Sequence, residues 1–388
     1  MPTPSNEPIA SLYVHVPFCA QKCQYCAFYS EPARTAVRDR YVTALIREME
    51  LVAGDLEPRT VFFGGGTPTL LNRGQWERIF RAMDRLHLLG AAEWTVECNP
   101  ATLSLDKAKL LRAGGVNRVS LGVQSLEETL LDRLGRVHTR GQVFRSFDIL
   151  RAAGFGNVNI DLMFAIPGQT MATWRETLVE ALALNSEHLS SYEVIYEEDT
   201  PLFRQLGAAC QDANEELACA MYDELIARAT AAGLVQYEVA NFARHASARP
   251  AEVPDHACRH NVNYWRGGSF HGLGPSATSY VRGVRTKHWS NTTRYCEALE
   301  QGRRAIESCE ELPPLSRAGE TAAFGLRMVA GWPFAEFRQV TGYDLRDQWH
   351  DDMERLAAQG LGRLTPERFQ LTPRGLRFAD AAAELFLR

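Results

Sequence analysis

The chain has 388 residues, of which 45% are hydrophobic and 23% charged. That is ordinary globular chemistry, enough for two or three domains or for one large α/β barrel with an appendage. Its 42 basic and 47 acidic side chains leave a formal charge of −5. This argues against a nucleic-acid binder, which needs a basic excess to displace counterions from phosphate. No apolar stretch approaches the ~20 residues of a membrane span. Met1 to Ala10 is polar, with no signal-peptide core, so the expectation is a cytoplasmic protein, at most peripheral to a membrane.

Six short β-branched or aromatic runs recur, each followed by a helical pattern: Leu12–Val16, Thr60–Phe63, Trp94–Glu97, Arg118–Val123, Val158–Met163 and Leu189–Ile195. Between the first two, Tyr41, Ala44, Leu45 and Met49 share one helical face. Gly114 and Gly154 close two further helices. Alternating β and α elements imply a parallel sheet covered by helices. A closed barrel of this kind wants eight strands, so six suggest an open, partial barrel or a doubly wound sheet. The expected organisation is a barrel over residues 1–235, a connecting segment over 236–312 and a C-terminal unit over 313–388. The connecting segment is rich in Gly, Ser, Asn, His and aromatics, long for a structureless link and so a functional candidate. Beyond Pro313-Pro314, helical patterns at Glu320–Val329, Trp332–Thr341, Asp344–Ala358 and Arg374–Leu387 surround a hairpin at Leu361–Leu371. That order predicts a small helical, winged-helix-like domain. The net acidity makes a structural or lid role a better reading of it than DNA binding.

Nine cysteines are an odd number in a long chain, so a disulfide scaffold is not expected. Cys98, Cys210, Cys219, Cys296 and Cys309 read as small buried hydrophobes. Cys19, Cys23 and Cys26 stand apart, spaced C-x3-C-x2-C in the loop after the first strand. A structural zinc site needs four ligands, usually two from a distant pair, and the chain has no second C-x2-C. A [4Fe–4S] cluster takes one thiolate per iron, so three thiolates leave one iron open to an amine and a carboxylate of a small molecule.

Other candidates collect at the strand ends, where parallel barrels place their chemistry. Gly64-Gly65-Gly66-Thr67-Pro68 follows the second strand and presents bare backbone to a ligand. Glu97 ends the third strand, Gln124 follows the fourth, and Asp161 lies inside the apolar fifth. A buried acid needs a partner such as a ribose hydroxyl, a cation or a helix residue. Arg136 is either a surface cation or a partner for a carboxylate.

The cysteine spacing and the glycine run resemble the radical S-adenosylmethionine (SAM) superfamily. There the open iron holds the amino and carboxylate groups of SAM, and an electron from the cluster cleaves the sulfonium to a 5′-deoxyadenosyl radical. More narrowly, several segments resemble oxygen-independent coproporphyrinogen III oxidases and their haem-chaperone relatives. These are Tyr13-Val-His-Val-Pro-Phe-Cys19, Phe63-Gly-Gly-Gly-Thr-Pro-Thr69, Glu97-Cys-Asn-Pro100, Gly115 to Ser125, Gly135-Arg-Val-His-Thr139 and Asp161 to Gly168. The resemblance covers nearly the whole chain and implies a partial (β/α)6 TIM-type barrel with a small helical C-terminal domain. It also implies that Cys19, Cys23 and Cys26 bind the cluster. The SAM contacts it implies are Tyr13, Tyr25, Gly65, Gly66, Thr67, Glu97, Gln124, Arg136 and Asp161.

Two features favour the chaperone branch. The oxidase branch carries a further cysteine where this chain has Phe28, together with a longer stretch before the first cysteine. The chaperone branch carries His-Asn-x-x-Tyr-Trp, here His260-Asn261-Val262-Asn263-Tyr264-Trp265. His260 is therefore a candidate axial ligand of haem iron, with Cys258 and His256 as rivals. The alternative reading is that the motif holds backbone and core. His15 is expected to orient the cysteine loop. The expected function is to bind haem and deliver it to membrane respiratory proteins, with a reductant serving the cluster. Oxidative decarboxylation of coproporphyrinogen III is the second reading, and a radical SAM methyltransferase the third.

Overall fold

The computed structural model describes residues 7–32, 34–206, 214–246 and 252–387. Six parallel strands form its centre: β1 (Ile9–Val16), β2 (Leu56–Gly65), β3 (Glu93–Cys98), β4 (Arg118–Gln124), β5 (Val158–Phe164) and β6 (His188–Glu193). Each pairs with its sequence neighbour, so the order in space is the order in the chain. Helices α1 (Thr35–Val52), α2 (Arg73–Arg85), α3 (Leu105–Ala113), α4 (Glu128–Arg133), α5 (Arg140–Ala152) and α6 (Met171–Ala183) make the crossovers. Helix starts are locally encoded, with reciprocal caps at Asn72 with Gln75 and Thr139 with Gln142.

The sheet stays open. Beyond α7 (Pro201–Leu206) and α8 (Glu215–Ala231), β7 (Leu234–Gln236) and β8 (Asn241–Arg244) return antiparallel and extend the β6 edge. After α9 (Arg259–Trp265), β9 (His271–Leu273) adds in parallel beside β1. The connecting segment over 236–312 thus supplies β8, next to β6, and the edge strand β9. Runs of three or four residues are too short to show a period. Three more strands, β10 (Thr278–Val281), β11 (Val284–His288) and β12 (Ile306–Glu311), form a separate antiparallel sheet flanking α10 (Thr292–Glu300).

The core between sheet and helices is continuous, with Trp76, Trp94 and Trp174 fully buried. The C-terminal unit has its own core around Trp332, Phe337, Trp349, Phe369 and Phe386. Its three-stranded sheet, β13 (Trp332–Pro333), β14 (Gly362–Leu364) and β15 (Arg368–Leu371), forms the wing. The helix expected over Glu320–Val329 starts six residues earlier, because Pro314 suits the first turn of a helix, where its missing N–H is no loss. The helix expected over Arg374–Leu387 is two short ones, Pro373–Leu376 and Ala379–Glu384.

Two of the scattered cysteines depart from expectation. Cys98 and Cys296 are buried, whereas Cys219 and Cys309 are exposed. Cys210 lies outside the described residues. No helix among the described residues is long and apolar enough to cross a membrane.

Candidate functional site

At the C-terminal ends of the six strands lies a cavity of about 530 Å³. Its lining brings together Cys19, Cys23, Cys26, Tyr25, Gly65, Gly66, Thr67, Glu97, Gln124, Arg136 and Asp161. Of the residues singled out from the sequence, Tyr13 and His260 lie deeper, in an adjoining chamber.

The cysteine loop leaves β1 and is closed at its base, where Glu31 N donates to Pro17 O and Cys19 N to Glu31 O. Its middle is tied to the turn after α4 by Gln24 N donating to Leu134 O. The three thiols are free and half-buried, and burial pushes the Cys26 thiol up to about 11. Arg136 donates to Cys23 Sγ at 3.4 Å and to Gly122 O at 2.6 Å. Among the described residues no three His, Cys, Asp or Glu side chains converge on a single-ion site. Thiols set around a cavity suit a cluster that places each ligand on a different iron better than one tetrahedral ion.

Glycine is required beside this loop. Gly66 N donates to Val16 O and Thr67 N to Phe18 O, locking the end of β2 under the start of the cysteine loop. A side chain at Gly66 would meet Val16 O and Phe18 O at 2.7 Å. Gly65 is left-handed, at φ +96°, and the His15 ring occupies the space of its missing side chain. His15 also bonds Tyr29 O through Nε2 and Tyr13 OH through Nδ1. It thus orients the loop, as expected.

The acids sit low in the cavity. Glu97 accepts from Gly65 N at 3.0 Å, and burial, with Asp161 nearby, pushes its carboxyl up to about 8. Asp161 accepts from Ser120 Oγ at 3.0 Å and Asn159 Nδ2 at 2.7 Å, and burial raises it too. The salt bridge to a helix that would explain Asp161 structurally is absent among the described ion pairs. Gln124 holds a left-handed φ of +67° where the β4–β5 register shifts, which aims its side chain at the cavity rim. A non-glycine residue in that region carries a strain cost.

The sequence reading missed Arg118, Asn159 and Ser190. They line a second chamber of about 200 Å³ with Tyr13, Phe62, His260, Asn261 and Tyr264. Glu97, Ser120, Asp161 and Tyr192 line both spaces. The signal was present as a period of two: Arg118 and Ser120, Asn159 and Asp161, Ser190 and Tyr192 each point inward from their strand.

The expectation that His260 offers a ring nitrogen to haem iron does not fit this geometry. Nδ1 bonds Thr60 Oγ1 at 2.9 Å, Nε2 bonds Tyr264 OH at 2.7 Å, and the residue is 1% exposed. Cys258 is equally buried, with its thiol directed at Glu93.

A sequence model of the radical SAM superfamily matches residues 13–181, and one of the HemN C-terminal domain matches residues 312–378. The solved HemN coproporphyrinogen III oxidase from Escherichia coli superposes with a TM-score of 0.81 at 23% identity, covering 99% of this chain and 91% of that one. The fold, an open six-strand parallel sheet with a cysteine-rimmed cavity at its strand ends, is that of a radical SAM protein. The heme chaperone HemW of Bacillus subtilis (strain 168) is 33% identical over 97% of this chain and 99% of its own length. That of Escherichia coli (strain K12) is 33% identical over 98% of each. Within the superfamily, the chain belongs to the HemW family.

Proposed function

We propose that the protein is a haem chaperone built on a radical SAM scaffold: it binds haem and hands it to an acceptor. The observation that carries this reading is the identity to HemW relatives, a third of positions over nearly the full length of both chains. Cys19, Cys23 and Cys26 would hold a [4Fe–4S] cluster, which would supply an electron to the sulfonium of SAM. Gly65, Gly66 and Thr67 present backbone beside that position. Tyr25, Gln124 and Arg136, which line the same cavity, would flank it, and Glu97 and Asp161 would offer carboxylates to the cationic and hydroxyl groups of the nucleoside. The residues fit these groups: three free thiols line one cavity, Arg136 stands beside Cys23 Sγ, and the backbone of Gly65, Gly66 and Thr67 lines the same cavity. Membrane respiratory proteins, approached from the cytoplasmic side, are the proposed acceptors, and a cellular reductant serves the cluster.

The test is anaerobic. Purified protein with a reconstituted cluster is titrated with haem and followed at the Soret band. In parallel it is incubated with coproporphyrinogen III, SAM and reductant. Saturable haem binding without protoporphyrinogen formation supports the chaperone. Product formation, or no spectral change with haem, overturns it.

A further inference from the structure

The chamber behind the SAM cavity is closed at its inner end by α9, the helix that carries the His-Asn-x-x-Tyr-Trp segment. This helix is fastened into the barrel. Arg259 N and His260 N donate to the two carboxylate oxygens of Glu93, at the start of β3, at 2.9 and 3.0 Å. His260 bonds Thr60 of β2, which bonds Ser11 of β1 at 2.9 Å. Its ring stacks on Phe62 at 5.3 Å, and Tyr264 packs on Phe270 at 4.2 Å. Trp265 faces away, toward Tyr237 and Met328.

The space this leaves is small. About 200 Å³ falls below the ~300–1,000 Å³ of ordinary small-molecule sites, so a tetrapyrrole does not enter. One side is polar, lined by Arg118, Asn159, Ser190 and the two acids, and the other carries the Tyr13, Phe62 and Tyr264 rings. Arg118 is 2% exposed and its Nε has no partner. The plug reaches the SAM cavity through a chain of contacts. The His260 and Tyr13 rings lie 6.5 Å apart, Tyr13 OH bonds His15, and the His15 ring fills the space at Gly65.

We infer that the His260–Trp265 segment is a specificity-determining plug and not a haem ligand. It closes the inner end of the open barrel, keeps tetrapyrroles out of the space behind SAM, and holds the Tyr13–His15–Gly65 face against which SAM lies. This deepens the proposed function and rests on it for the haem arm only. Haem is then held outside the barrel interior, and the radical SAM chemistry is kept away from the macrocycle.

The experiment uses the full-length protein with its cluster reconstituted, as wild type, His260→Ala, His260→Gln and Tyr264→Phe. Each is titrated with haem at the Soret band and with SAM by equilibrium binding. The electron paramagnetic resonance spectrum of the reduced cluster is recorded with and without SAM. Expected are an unmoved Soret band and haem affinity within about twofold of wild type in all variants. SAM affinity falls about fivefold or more in His260→Ala, as loss of a buried hydrogen-bond partner predicts, and the SAM-induced spectral shift changes with it. His260→Gln, which can still reach Thr60, restores most of both. A displaced Soret band or lost haem in any variant overturns the inference, as does unchanged SAM binding in His260→Ala. Should His260→Ala not fold, Tyr264→Phe, which removes the bond to Nε2, decides by the same criteria. If wild type itself fails to bind haem, the chaperone reading falls while the SAM readouts still judge the plug.

Discussion

Gly66→Ala tests whether the glycine run is a packing requirement of the cysteine loop. The added methyl would lie 2.7 Å from Val16 O and Phe18 O and 2.8 Å from Phe18 N, all of them backbone atoms. Ordinary carbon–oxygen contacts begin near ~3.3 Å, so the two segments must separate by roughly half an ångström or more. That strains two short bonds, Gly66 N to Val16 O at 2.8 Å and Thr67 N to Phe18 O at 2.7 Å. Overpacking of this kind costs about 1–3 kcal/mol, and in a chain of this size each kcal/mol moves Tm by roughly 2–4 °C or less. The strain falls where the chain turns toward Cys19, so iron and sulfide content should drop along with Tm. Gly54→Ala is the control, because nothing lies within 4 Å of its added methyl. Calorimetry and metal analysis on both variants decide. If Gly66→Ala matches Gly54→Ala in Tm and in iron per chain, the close approach of β1 and β2 is not what shapes the loop.

Four further outcomes are expected. SAM affinity should rise with pH from about 6 to about 8 and then level off, because Glu97 titrates near 8 and cationic SAM favours its ionised form. A flat profile in Glu97→Gln checks the assignment, and the same slope in that variant refutes it. In the SAM-free protein the sign reverses. The unfolded carboxyl ionises near ~4.3 while the folded one stays protonated, so stability against denaturant should decline from about pH 5 to about pH 8. Arg136→Met removes the cation 3.4 Å from Cys23 Sγ and should make the cluster harder to reduce in a redox titration; an unmoved potential would deny that contact. Arg266→Ala removes a guanidinium that lies 4.9 Å over Trp332 and donates to Gly331 O at 2.7 Å. It should loosen the C-terminal unit by about 1–2 kcal/mol, read as faster limited proteolysis with iron content unchanged.

The parts of the site legible in the sequence were those where local chemistry dictates position. Three thiols in eight residues have few bland explanations. A glycine triplet after a strand declares a close backbone approach, and Asp161 inside Val158–Phe164 declares an inward acid. The six central strands were found from β-branched runs, although β2 starts at Leu56, four residues earlier than the run that announced it. What stayed hidden depends on long-range pairing. The added strands β8 and β9 are four and three residues long and gain their identity from β6 and β1. The plug is recognisable only once Glu93 of β3 and Thr60 of β2 are seen to hold α9. A histidine beside aromatics reads equally well as a metal ligand or as a hydrogen-bonded core residue, and only the partners of both ring nitrogens separate the two.

A buried polar chamber is costly to fold unless its groups are satisfied or it does something. Here the cost is spread unevenly. His260, Thr60, Ser11 and Tyr264 satisfy one another, and burial drives the His260 ring down to about 3, so it stays neutral. On the opposite wall Arg118 Nε is unpartnered and both Glu97 and Asp161 resist ionisation. The relaxed wall is built around the His-Asn-x-x-Tyr-Trp segment, whereas Glu97 and Asp161 also line the cysteine-rimmed cavity. A ligand that brought positive charge to the acids would favour their ionised forms, whereas the unpartnered Arg118 N–H calls for an acceptor. On the proposed function, α9 is structural and the ends of β3 and β5 carry the binding groups.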